Sequence, residues 1–137
     1  MWDSRSEAER WLKQAENDLD FARLGLREGF HAQACFLTQQ SAEKAVKAVG
    51  YLLGERTVLG HSVAVLAGRY AERVPELADL RDQAGVLDQY YIPTRYPNGL
   101  PGGLPFMAFT EEQATNAVAA AERFLLLASA QVAAAGS

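Results

Sequence analysis

The chain is 137 residues long, which suits a single domain spanning residues 1–137, and its 49% hydrophobic content is ample for one core. A formal charge of -4 gives no broad electrostatic footprint for non-specific nucleic-acid binding and leaves only a local basic pocket open. A lone cysteine, Cys35, excludes an internal disulfide; a charged N-terminus without an apolar core reads as no signal peptide; and no apolar run approaches the ~20 residues of a membrane span, so a soluble cytoplasmic protein is expected.

Ser4 and Ser6 both read as N-caps, because Ser4-x-x-Glu7 and Ser6-x-x-Glu9 each form a capping box. Ala8, Trp11, Leu12, Ala15, Leu19, Ala22 and Leu26 follow at spacings of three and four, a long amphipathic helix stopped by Gly29. Asp18 borders that stripe; its plain alternative is a solvated flank residue. Phe30 and His31 open a second helix after a very short connection, so the first two helices are antiparallel neighbours.

The second helix carries the organising stretch, Gln33 to Leu53. At 100° per residue Ala34, Leu37, Ser41, Ala45, Ala48 and Leu52 share one face. Gln33, Gln40, Lys44 and Tyr51 run along its edge, and Glu43 with Lys47 forms an acid–base pair further toward solvent. The plain alternative for Lys44 is a stem lying on the core with its ammonium in water. Gly54 stops this helix, and residues 55–60 read as a loop.

Ser62 caps a third helix with Val63, Leu66, Tyr70 and Val74 as its buried row. Pro75 interrupts the pattern and suits the first turn of a new helix. Leu77, Leu80, Ala84, Leu87 and Tyr91 make the next stripe. Residues 92–109 hold Pro93, Pro97, Pro101 and Pro105 with Asn98-Gly99 and Gly102-Gly103, a density of breakers that predicts neither helix nor strand. Its apolar content (Tyr96, Leu100, Leu104, Phe106, Phe109) predicts a loop that packs down.

Thr110-x-x-Gln113 is a further capping box, with Glu111 and Glu112 where the helix dipole favours acid. Ala114, Ala117, Val118, Ala121, Leu125 and Ala128 form the inner face of the last helix. Residues 124–127 are apolar around most of the circumference, and Phe21 and Leu24 also lie off their stripe, so a two-fold homodimer is expected. The sum is an all-α, up-and-down four-helix bundle with an additional short helix and a long Pro/Gly-rich loop before the last helix.

Chemistry is sparse. His31 and His61 sit in no metal-ligand spacing and the Glu-x-x-His pairs of a di-iron bundle are missing, so no metal or cofactor is expected. Pro101-Gly102-Gly103 lacks the lysine and helix start of a phosphate loop. Cys35 and Ser41 face the core side of helix two and read as packing residues. What remains is a polar set: Asp18, Gln40, Lys44, His61, Tyr91, Arg95 and Tyr96. Asp18 and Lys44 fall within reach of one another across antiparallel helices. Lys44 and Arg95 are expected to share a pocket, arginine and lysine suiting a phosphate and tyrosine a base. A structural network tying the Arg95 loop to the bundle explains the same residues.

Four pieces of the chain, Trp11-Leu12-x-x-Ala15-x-x-Asp18-Leu19-x-x-Ala22, Gln39-Gln40-Ser41-Ala42-Glu43-Lys44-Ala45-Val46-Lys47, His61-Ser62-Val63-x-x-Leu66 and Tyr91-x-x-x-Arg95-Tyr96-Pro97-Asn98, resemble in order the HEPN family of small helical domains. The resemblance runs from about Ala8 to Val132. Many members are metal-independent ribonucleases with an Arg-x(4–6)-His motif. Here no histidine follows Arg95, and the chain is similar instead to the Arg-Tyr-Pro-Asp branch, with Asn98 at the aspartate position. That branch implies a separate minimal nucleotidyltransferase partner in a toxin–antitoxin or regulatory pair. Three functions follow: a binding module for a nucleotide or RNA phosphate near Lys44, His61 and Arg95; a ribonuclease using Arg95, with the His61 imidazole as its acid–base group; or a structural partner-binding bundle without ligand.

Overall fold

The computed structural model describes residues 2–136, and within them the chain is helical with no strand. Three long helices, α1 (Ser4–Arg27), α2 (His31–Leu52) and α6 (Glu111–Ala135), pack on one another. The expected fourth long member is broken into α3 (Val63–Tyr70), a 3-10 segment Pro75–Leu80 and α4 (Arg81–Asp88). Pro75 opens the 3-10 segment, where a missing N–H costs nothing. Val63, Leu66, Tyr70, Val74, Leu77, Leu80, Ala84 and Leu87 are buried as the periodicity predicted. Because α4 ends at Asp88, the buried aromatic that closes the stripe is Tyr90, and Tyr91 is only half-buried.

Helix α1 starts earlier than the two serines predict. Asp3 adopts the extended cap conformation and its carboxylate accepts from the Ser6 amide at 3.0 Å, so Ser4 and Ser6 already lie in the first turn. The helix ends at Gly29, whose φ of +86° lets the Phe30 amide reach back to the Gly25 carbonyl at 2.8 Å.

Helix α2 is the central member, packed against α1, α6 and the α3–α4 segment. That position explains a correction: Glu43 and Lys47 do not face solvent but are 4% and 6% exposed. The Ser41 hydroxyl donates to the Ala15 carbonyl at 2.7 Å, a cross-helix bond that only a small residue at close approach can make.

The Pro/Gly-rich stretch is also less irregular than predicted. It holds a 3-10 turn at Pro97–Gly99 and one α-helical turn, α5 (Pro105–Ala108), each opened by a proline. Prolines that break a long helix are favourable at the first position of a short one. Pro105 is buried, and Phe109 meets Tyr90 edge-on at 5.8 Å, whereas Tyr96, Leu104 and Phe106 stay exposed, so the stretch packs down only in part. A Cβ at Gly99 would lie 2.9 Å from the Pro93 Cα, and this close approach folds the loop back next to Arg95.

Thr110 and Gln113 form the expected reciprocal capping box at the start of α6. By length and composition α6 passes for a membrane-crossing helix, although Glu122 and Arg123 interrupt its apolar run. Its Ala114, Ala117, Ala121, Phe124, Leu125, Ala128 and Val132 are buried against the bundle, while Leu126 is exposed.

Candidate functional site

The site is built where α2, the start of α3 and the end of α4 meet. Asp88, the last residue of α4, is the anchor. One oxygen accepts from the Val63 amide at 2.8 Å and from Gln39 Nε2 at 3.2 Å; the other accepts from the Ser62 hydroxyl at 2.7 Å and the Ala64 amide at 3.0 Å. An acidic group at a helix N-terminus satisfies donors that the helix itself cannot. The fully buried Gln39 also donates to the His61 carbonyl at 2.7 Å. The backbone of His61 is therefore held by α2 and, through Ser62, by α4.

Below the His61 ring lies the Glu43 carboxylate. Its Oε1 is 3.4 Å from His61 Nδ1 and accepts from Gln40 Nε2 at 3.4 Å, and its Oε2 is 3.2 Å from Lys47 Nζ. Lys47 in turn sits 5.5 Å from the Trp11 ring centre. A buried carboxylate is costly unless paired, and this one is matched by the buried ammonium one turn along its own helix. The imidazole itself is 65% exposed.

Arg95 completes the cluster from the loop. Its Nε donates to the Tyr91 carbonyl at 2.8 Å, which folds the side chain back over aromatic faces. The guanidinium carbon lies 4.4 Å from the Phe36 ring centre, 4.7 Å from Tyr91 and 5.1 Å from Tyr96. His61 stacks on the same Tyr91 ring at 5.3 Å with an 18° tilt. Among the described residues no carboxylate pairs with Arg95, and the residue is exposed. An accessible cation on aromatic faces with no acid against it can accept an anion while its neighbours stack a planar group.

Lys44 lies elsewhere. It forms an ion pair with Asp18, as the antiparallel register predicted, and Gln14 donates to the same carboxylate at 3.0 Å. The cavity that Lys44 lines is walled by Glu7, Arg10, Trp11, Lys13 and Gln14, whereas the one Arg95 lines is walled by Phe21, Gln33, Phe36, Leu37 and Thr94. The expectation that Lys44 and Arg95 share one pocket is thus corrected. The acid on α1 takes up the lysine, and the Tyr91 carbonyl draws the arginine the other way.

His61, Tyr91, Arg95 and Tyr96 come together, Gln40 reaches them through Glu43, and Asp18 with Lys44 forms a separate pair. Sequence reasoning missed Gln39, Glu43, Asp88 and Phe36 as partners. The Glu43–Lys47 spacing was a signal; Asp88 offered none, because its partners lie 24 to 26 positions away along the chain, or 49 in the case of Gln39. Cys35 is a core residue, and burial pushes its thiol up to about 12. Among the described residues no three His, Cys, Asp or Glu side chains group as a metal-holding set.

The profile of the HEPN domain family matches residues 8–131. A candidate toxin of Methanocaldococcus jannaschii is 29% identical over 129 residues, covering 86% of this chain and 83% of that one. Human sacsin is 30% identical over 112 residues, which is 79% of this chain and 2% of sacsin. Among solved structures, a Thermus thermophilus protein superposes with a TM-score of 0.86 at 38% identity, covering 90% of this chain and 97% of that one. An archaeal HEPN homologue gives 0.73 at 36% identity with coverage of 91% and 97%, and a Thermotoga maritima HEPN domain protein 0.69 at 32% with 88% and 94%.

Proposed function

The chain belongs to the HEPN domain family, and from that premise we propose that it is a binding module for a nucleotide or RNA phosphate, seated at Arg95 with Tyr91, Tyr96 and His61 around it. The observation that carries this reading is the exposed Arg95 guanidinium, held over three aromatic rings with no carboxylate against it. Its planar fork suits a phosphate, and the half-exposed Tyr96 offers a face for a base. The module acts as a homodimer and with a separate minimal nucleotidyltransferase in a toxin–antitoxin or regulatory pair. The toxin-like relative from Methanocaldococcus jannaschii supports that setting.

Fluorescence anisotropy with a labelled single-stranded RNA tests the reading. Wild type binds, and Arg95→Ala binds more weakly by roughly 1–3 kcal/mol with its circular dichroism unchanged. Flat titrations of the wild type, together with an unfolded Arg95→Ala, would make Arg95 a structural tie and leave a bundle without ligand.

A second reading, a metal-independent ribonuclease, is favoured by one observation: His61 and Arg95 pack on the same Tyr91 ring. RNA cleavage in the presence of chelator, lost in His61→Ala, separates it from the first.

A further inference from the structure

Past Arg123 the chain carries no charged side chain up to Ser137, yet this half of α6 is only partly covered by the bundle. Leu126 is 65% exposed, and Ser129, Ala130, Ala133 and Ala134 are exposed with it. A helix face left to water ordinarily carries charged residues, so a face without any suits contact with another surface. We propose that this face of α6, together with the wall formed by the 3-10 segment Pro75–Leu80, is a docking surface for a basic amphipathic helix of another protein. The proposal does not depend on the Arg95 site.

The shape is that of a seat for a helix. Arg123, Leu127, Ala130 and Ala134 follow at steps of four, three and four, the spacing of a seam between two helices, and Leu126 lies beside them. From Arg123 to Ala134 the helix rises about 16 Å, room for about three turns of a second helix. These residues and Leu80 line a shallow trough of about 670 Å³ between α6 and the 3-10 segment. Leucines fill one end of the seam and alanines the other. The occupant needs the reverse, small side chains opposite Leu126 and Leu127 and bulky apolar ones opposite Ala130 and Ala134.

Charge selects among apolar helices. Glu76 and Asp79 line the trough from the 3-10 segment. They are three positions apart in a helix of three residues per turn, so both stand in one row along its edge. Both are exposed, and among the described residues neither forms an ion pair. The α6 side of the trough offers one cation, Arg123. Lysines or arginines flanking the apolar stripe of an incoming helix would meet the two carboxylates. A second copy of this chain fits less well, because a two-fold contact here brings two acids and one cation from each side and leaves carboxylates in excess. The groove walled by Phe21, Leu24 and Phe30 shares no lining residue with this trough, so a homodimer seated there does not draw on it.

Fluorescence anisotropy of the full chain with two labelled synthetic helices tests the proposal. The helices share one leucine stripe, flanked by lysines in one and by glutamates in the other. The lysine helix is expected to bind at least about tenfold tighter than its glutamate twin, and less tightly as salt rises. Leu126→Ser and Ala130→Gln should each weaken it about three- to tenfold, and Glu76→Gln/Asp79→Asn should remove most of its advantage over the twin. Circular dichroism melts of these surface variants stay close to wild type, and Phe21→Ser/Leu24→Ser binds the lysine helix as wild type does. A lysine helix that fails to bind the wild type, binds no better than its twin, or ignores the substitutions on α6 and the 3-10 segment overturns the proposal. So does a wild-type dimer that Leu126→Ser with Ala130→Gln turns into a monomer in sedimentation, because the face then belongs to a second copy.

Discussion

Arg95 carries two roles that a single substitution can separate. Its Nε anchors the loop to the Tyr91 carbonyl, while its guanidinium face rests on Phe36, Tyr91 and Tyr96. Arg95→Lys keeps the charge but loses the fork and the planar stacking. Its expected affinity for single-stranded RNA lies between wild type and Arg95→Ala, with a similar salt slope to wild type, because the number of phosphate-neutralising charges is unchanged. Anisotropy titrations at several salt concentrations check this. Cys35 and Tyr70 report on the core. Burial pushes the Cys35 thiol from 9.0 to about 12; burial first, then the hydrogen bond to Glu55, pushes the Tyr70 phenol from 10.0 to about 12. Both groups hold their protons more tightly when folded. Their contribution to stability is therefore complete below the unfolded values and is lost as pH rises toward about 12. Urea midpoints should fall between pH 9 and 12, and less steeply in Cys35→Ala once its lower starting stability is taken into account.

Elements depend on a few junctions. Asp88 receives donors from Ser62, Val63, Ala64 and Gln39, so Asp88→Ala removes the acceptor of the Val63 and Ala64 amides at the start of α3 and leaves the buried Gln39 amide only its bond to the His61 carbonyl. A loss of about 1–3 kcal/mol in chemical denaturation is expected, because two N-terminal amides of α3 lose their carboxylate acceptor. Ser62→Ala, which leaves Asp88 with its amide donors but removes the cap on the Val65 amide, should cost about 1 kcal/mol. The α2–α3 contact depends on a glycine. A Cβ at Gly50 would stand 2.5 Å from the Tyr70 hydroxyl and 2.7 Å from its Cζ. Gly50→Ala therefore displaces the Tyr70 ring and breaks its 2.8 Å bond to Glu55. Overpacking of this kind costs about 1–3 kcal/mol, against a helix-propensity gain of about 1 kcal/mol for alanine. Net destabilisation in the melting temperature is expected; a stabilised variant would mean that α3 yields easily.

At the scale of the molecule, apolar side chains remain uncovered. Phe21, Leu24 and Phe30 are 60%, 43% and 58% exposed and wall one groove with Gly25, Ala34 and Leu37. Leu126 is 65% exposed on α6. Exposed patches of this kind seldom stay bare in a monomer, which is the ground for the proposed homodimer. Sedimentation at concentrations on the order of tens of micromolar should show a dimer, and Phe21→Ser with Leu24→Ser should move it to monomer without loss of helicity. A clean wild-type monomer would count against the homodimer and leave the Arg95 site standing as a single-chain site.

Local rules in the sequence determined the helical class, the stops at Gly29 and Gly54, the Ser62 and Thr110 caps, and the buried rows of α1 and α6. Each depends on neighbours three or four positions away, so periodicity and cap chemistry are sufficient to read them. The Asp18–Lys44 pair was legible for a related reason: a short connection makes α1 and α2 antiparallel and brings their edges together. Only the tertiary structure decided the rest. Glu43 and Lys47 look like an ordinary solvated pair until α2 is seen to be central and enclosed. Arg95 and Lys44 look like partners until each is claimed by a nearer group, a carbonyl for one and a carboxylate for the other. Asp88 carries no local mark at all, because the donors it satisfies belong to helices that only packing brings beside it. A side chain's partners across elements depend on which backbone group or charge arrives first, and spacing along one helix does not encode that competition.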